Sequence, residues 1–190
     1  MVTYQNEITN LLTTYFSSIV LTPEPNVQKE WPAFPRDKRY SPRIDIAVGP
    51  FAVENNYTLE YDRLCLETRN FLDLCFNVFE NNIRDFKPGI SGFEYNYKTF
   101  NKNARCFIAI EIEKTGTRKH RLGDIVNASS LGRIGLIIAW DASVLKSFLR
   151  IIEYFNFLED VGKNTFITKN IAVIEREQFR DILIRMNKNR

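Results

Sequence analysis

Glu111 and Glu113 stand two residues apart in the apolar run Phe107-Ile108-Ala109-Ile110-Glu111-Ile112-Glu113. Side chains on a strand alternate between faces, so both carboxylates point the same way, their Cα atoms roughly 6.5–7 Å apart. Like charges so placed repel, and burying them is costly without a partner. A divalent cation supplies that partner, since Mg²⁺ takes oxygen ligands and usually keeps several waters. The same alternation also arises where a strand reaches solvent, and both glutamates are then merely exposed. Asp45 adds a third carboxylate. It lies in Arg43-Ile44-Asp45-Ile46 with Ile44 and Ile46 on the buried face, although aspartate disfavours strands. If the two strands are neighbours, three carboxylates converge at one sheet edge. Glu7, at the margin of the first helix's buried face, is a further acidic candidate or a plain surface residue.

Two basic stretches accompany the acids. One runs from Lys29 to Arg43 and holds Lys38, Arg39 and Arg43 among Trp31, Phe34 and Tyr40. The other holds Lys114, Arg118, Lys119, His120 and Arg121 with no acid among them. Cations mixed with aromatics suit phosphate and base contacts. Arg118 to Arg121 open a helix, where cations oppose the macrodipole, and phosphate is the partner that would offset this; a solvated helix start is the alternative. His120 is the only histidine, which excludes a zinc cluster built on several histidines. Asn127 and Ser129, farther along the helix, are expected to serve packing and local hydrogen bonding.

The elements that must position these residues follow from periodicity. Tyr4, Ile8, Leu11, Leu12, Tyr15, Phe16, Ile19 and Val20 predict a first helix with one buried stripe, ended by Thr22-Pro23. A proline-bearing basic loop follows, then a strand over 43–48 stopped by Gly49-Pro50. One long helix is expected over 58–86, and the loop 92–103 has room for an edge strand. The strand 106–114, a helix 118–131 with Gly132 as C-cap, and an all-apolar strand 134–140 come next. A helix 143–158, a strand 165–174 and a terminal helix complete the order. This alternation predicts an α/β fold with a central mixed sheet and helices on both sides.

The 190 residues, 44% of them hydrophobic, suffice for a single domain over 1–190. The apolar runs are too short to span a bilayer, and the polar residues near the N-terminus lead us to expect no secretory leader. Cys65, Cys75 and Cys106 form no CxxC pair, so reduced core cysteines and a cytoplasmic location are expected. The net charge of +3 weakly favours an anionic partner. No GxGxxG, GxxxxGK[ST] or GxSxG motif is present, so no nucleotide cofactor is expected.

A strand with Asp45, a strand with Glu111-Ile112-Glu113, a basic helix over 118–132 and a further apolar strand resemble the PD-(D/E)XK nuclease superfamily, which includes many restriction endonucleases. Pro42 matches the motif's proline, three positions before Asp45 instead of adjacent to it, and Glu113 occupies the usual lysine position. The resemblance covers about residues 43–140 and places the helix 58–86 as an insertion between the motif strands. It implies a restriction-endonuclease-like fold in which Asp45 and Glu111 bind Mg²⁺, with Mn²⁺ a substitute and the carbonyl of Ile112 a further ligand. Glu113 would then orient or deprotonate the attacking water, or share a second metal, while Lys114 or Lys119 restores the missing positive charge. The implied substrate is double-stranded DNA, contacted through loops 23–42 and 88–104, and two-strand cleavage suggests a homodimer. The competing expectation is a nuclease-like module that binds nucleic acid or a partner without cutting.

Overall fold

The computed structural model describes residues 3–34, 41–86, 101–163 and 168–188. In chain order the elements are α1 (Tyr4–Ser17), β1 (Val27–Pro32), β2 (Arg43–Val48), α2 (Thr58–Glu67), α3 (Arg69–Phe86), β3 (Cys106–Glu113), α4 (Arg118–Leu131), β4 (Gly132–Ala139), α5 (Ala142–Asp160), β5 (Ile171–Glu175) and α6 (Arg176–Lys188). The strands form one five-stranded sheet in the order β1-β2-β3-β4-β5. The β1–β2 and β2–β3 pairs are antiparallel, and β3–β4 and β4–β5 are parallel. The sheet is therefore mixed, as the alternation predicts, and helices flank it. α1 and α3 pack on α6, while α4 packs on β3, β4 and α5.

Each parallel connection carries a helix, as a crossover between parallel strands requires. β4 and β5 are nearly continuous apolar runs, and β4 is buried along its whole length, the pattern of strands covered on both faces. Phe16, Phe71, Phe107 and Phe179 link α1, α3, β3 and α6 through ring contacts between 6.2 and 6.4 Å.

Four local expectations are corrected. Strand β1 falls in a segment expected to be loop: Trp31 turns inward and stacks on Phe51 at 4.8 Å, and this burial outweighs the surrounding prolines. The helix expected over 58–86 is two helices, broken at Thr68 (φ −101°, ψ 14°), whose hydroxyl donates to the Leu64 carbonyl at 2.6 Å. α1 ends at Ser17, leaving Val20 96% exposed instead of in the buried stripe. The last strand is shorter, Ile171–Glu175, and residues 165–167 of its expected range lie outside the described residues, as does most of the loop 92–103.

Gly132 follows α4, but not in the left-handed conformation of a glycine cap; its φ is −86° and ψ 144°. Close approach explains the glycine here, because a Cβ would stand 2.3 Å from the Ile134 carbonyl oxygen and 2.9 Å from the Ala109 nitrogen. The carbonyls at the end of α4 are taken by side-chain amides. Asn101 donates to Ser129, Ser130 and Gly132, and Asn170 to Ser129, Gly132 and Arg133. These bonds fix α4 over the sheet. Among the described residues, no helix is long and apolar enough to cross a membrane.

Candidate functional site

Asp45 sits where the sheet's hydrogen-bond ladder breaks on both sides. The β2–β3 pairing runs from Val48↔Ile108 to Ile46↔Ile110 and stops; one further step in that register sets Asp45 opposite Glu111. Side chains replace the backbone ladder there. The Ile112 amide donates to Asp45 Oδ2 at 2.7 Å, and the Asp45 amide donates to Glu111 Oε2 at 3.3 Å. On the other flank, β1 pairs at Lys29↔Ile46 and Trp31↔Ile44 but skips the residue between. That residue, Glu30, has a φ of 49°, a conformation uncommon outside glycine. Gln5 of α1 closes the gap by donating from Nε2 to the Asp45 carbonyl and to Glu30 Oε1, both at 2.9 Å.

The other wall comes from α4. Ala109, Gly135 and Ile171 stand side by side in register across β3, β4 and β5, and a Cβ on Gly135 would lie 3.0 Å from the backbone carbon of Ala128. The missing side chain lets α4 settle close to the sheet at that point. The turn preceding Ala128 carries Asp124 and Asn127, which face Glu111. The Asn127 side chain hydrogen-bonds Glu111, and the Asp124 charge acts on it. Asp124 in turn shares a hydrogen bond with Glu113.

These positions explain the electrostatics. Glu111 is 5% exposed, and burial, then the Asp45 and Asp124 charges, push its carboxyl up to about 9 against the hydrogen bonds from Asp45 and Asn127. Burial and the Glu113 carboxylate raise Asp124 to about 7, with Arg121 opposing. Asp45 is raised by burial, against the lowering bond from Ile112. Four carboxyl groups thus crowd one end of β3, three of them pushed toward the neutral form. Such perturbed groups cluster at functional sites more than elsewhere.

The remaining expected site residues separate into those near this cluster and those away from it. Glu113 turns back on its own strand end, where its Oε1 accepts the amides of Thr115, at 2.7 Å, and Gly116. Lys114 points to other company: its Nζ lies 4.9 Å from the Trp140 ring centre, and Arg176 and Tyr4 meet the same ring. Lys119 is exposed and lies five residues before Asp124, about 140° around the helix. Arg118 and His120 are exposed too, the His120 amide capped by Thr117. Arg121, one turn before Asp124, is half-buried, and its charge acts on the cluster. Arg43 is exposed at the start of β2. Lys38 and Arg39 lie outside the described residues. Glu7 pairs with Arg180 at 2.5 Å, a link between α1 and α6.

Sequence reasoning missed Asp124, Gln5 and Glu30, and expected packing and local hydrogen bonding of Asn127, whose side chain instead bonds Glu111 on the neighbouring strand. A signal existed for the α4 pair: Arg121, Asp124, Asn127, Ala128 and Leu131 share one stripe at spacings of three and four. Among the described residues, no three His, Cys, Asp or Glu side chains stand in an arrangement that could hold a metal ion. The donor chemistry nonetheless fits a hard cation in part. Asp45, partly buried, and Glu111, buried, offer carboxylate oxygens among other acids, whereas Glu113 is engaged by the turn amides. No family model matches the chain, and neither does any curated protein or solved structure.

Proposed function

We propose that the chain is a Mg²⁺-dependent endonuclease with a restriction-endonuclease-like fold, hydrolysing phosphodiester bonds of double-stranded DNA. The observation that carries this reading is the interruption of the sheet at Asp45. A backbone that leaves its ladder on both flanks, with a glutamate at positive φ beside it, is held that way at a cost of order 1–3 kcal/mol per strained residue. The interruption brings Asp45 and Glu111 together, and Glu111 is buried where the Asp45 and Asp124 charges act on it.

Asp45 and Glu111 would hold the ion, which when bound lowers the pKa of a coordinated water and neutralises charge on the phosphate. The chain's own residues supply the rest. The Ile112 amide orients the Asp45 carboxylate, and the Asn127 amide orients Glu111. The Asp124–Glu113 pair shares a hydrogen bond and offers a proton acceptor near neutral pH. Arg121, whose charge acts on Asp124, would contribute positive charge toward the scissile phosphate in place of the motif lysine. A homodimer is expected for cleavage of both strands.

The second reading is a nucleic-acid-binding module without cleavage. It is favoured by the engagement of Glu113 with the 115–116 turn and of Lys114 with Trp140. Incubating the protein with plasmid and with duplex oligonucleotides, in Mg²⁺ and in Mn²⁺, separates the two. Cleavage that is abolished by Glu111→Gln supports the enzyme. Metal-dependent stabilisation or DNA retention without cleavage supports the module, and absence of cleavage, DNA binding and metal response together defeats both.

A further inference from the structure

Helix α5 presents a seam of large side chains to solvent. Tyr154 is 56% exposed, Phe157 58% and Val161, which caps the helix, 48%. With Arg150 they recur at spacings of four, three and four, so they form one stripe. Ile151 and Leu158 beside them are partly buried against the core, which anchors the stripe's base. Solvent-facing apolar residues are ordinary when scattered, but three on consecutive turns of one helix make a continuous strip.

The charges along α5 say what covers it. Lys146 and Arg150 lie in its N-terminal half, Glu153 near its middle, and Glu159 and Asp160 in its last turn. Anions at a helix C-terminus oppose the macrodipole. Glu159 is compensated by Lys169 at 2.6 Å, but neither Arg150 nor Asp160 has an ion-pair partner among the described residues. An arrangement unfavourable within one helix becomes favourable between two helices running antiparallel, because each acidic end then meets a basic half.

We propose that α5 is the contact through which two copies of this chain associate, antiparallel about a two-fold axis lying between Tyr154 and Phe157. Tyr154 then faces the partner's Phe157, and Arg150 reaches the end of the partner helix that carries Asp160. A parallel pairing would oppose like charges at both ends. The isologous arrangement is self-complementary, with an apolar centre flanked by polar groups. One helix seam is smaller than the roughly 800 Å² per partner of a standard interface, so a dimer that exchanges with monomer is expected. The contact gives a surface to the homodimer expected of the proposed nuclease, yet stands on α5 alone.

Sedimentation equilibrium without DNA or metal tests it independently of any cleavage. The mass should rise with concentration from 22.3 kDa toward twice that value. Phe157→Glu, at an exposed position and checked by circular dichroism, should remain monomeric throughout. Arg150→Glu should weaken the dimer by about tenfold or more through like-charge opposition, and adding Asp160→Arg should restore it. A wild-type chain that stays monomeric to millimolar concentration overturns the proposal, as does a dimer indifferent to Phe157→Glu. Failure of the charge swap to restore pairing overturns the antiparallel orientation.

Discussion

Replacing Glu111 by glutamine preserves the side chain's shape and its acceptor for the Asp45 amide while removing the ionisable group. The folded-state pKa of Glu111 is raised from 4.5 to about 9, by burial first and then by Asp45 and Asp124. Between those values the folded chain holds a proton that the unfolded chain has released, so stability falls as pH rises through that window. At 1.36 kcal/mol per unit, the 2.5 units from 4.5 to pH 7 amount to roughly 3 kcal/mol of stability lost by the metal-free wild type. The side chain is 5% exposed, so solvent screening takes little from this figure. Glu111→Gln should therefore be the more stable protein at pH 7, by roughly 6–12 °C in Tm for a chain of this length. The gap should close toward pH 4.5 and widen toward pH 9. Urea and thermal unfolding in EDTA, at intervals from pH 4.5 to 9, measure it. Asp124, raised to about 7, adds a loss in the same direction from its ordinary carboxylate range up to pH 7, present in both proteins. Added Mg²⁺ should stabilise the wild type and leave the variant nearly unchanged. Parallel stability profiles, or a variant less stable at pH 8, would show that its surroundings do not hold Glu111 in the protonated form, and the electrostatic case for the site would collapse.

Substitutions at two further positions test the scaffold that presents the cluster. Gly132→Ala should cost about 3 kcal/mol in urea unfolding, because the added methyl meets backbone atoms of Ile134 and Ala109 that have no rotamer with which to yield. Asp62→Ala should cost about 2 kcal/mol: it removes the carboxylate 2.5 Å from the guanidinium of Arg133, whose side chain is 1% exposed. Asp62→Asn keeps an acceptor there and should lose less than half as much in the same assay.

The parts of the fold that were legible in the sequence were those with one dominant period. β3, β4 and α4 lie where alternation, a continuous apolar run and the 3.6-residue stripe put them. β1 was not legible, because its six residues carry lysine and glutamate outward and end on proline, and only Trp31 is fully buried. The pattern of a short edge strand with one anchoring side chain cannot be told from a loop. The break at Thr68 was hidden for a different reason. Phe71, Leu72 and Cys75 resume an apolar stripe so soon after Leu64 and Cys65 that periodicity reads through the interruption, and a single threonine bonding back to Leu64 leaves no trace in composition.

The site shows the same limit in sharper form. Asp45 and Glu111 were visible because a carboxylate between isoleucines contradicts its own strand, and such contradictions between local preference and global pattern mark places held for another purpose. Asp124 and Asn127 contradict nothing, since acids and amides are ordinary on a helix. What gives them meaning is Gly135, two strands from Asp45, whose missing side chain draws α4 down until the Asn127 amide meets Glu111. That relation joins a glycine on one strand to a turn of helix and a carboxylate on the next strand. On the proposed nuclease reading, the motif lysine follows the same logic. Strand alternation already turned Lys114 away from Glu111, and the structure gives it Trp140 as a partner, so positive charge near the cluster has to come from another element. Arg121 provides it from the helix that Gly135 admits, and the placement of α4 therefore sets both the polar partners of Glu111 and the cation beside Asp124.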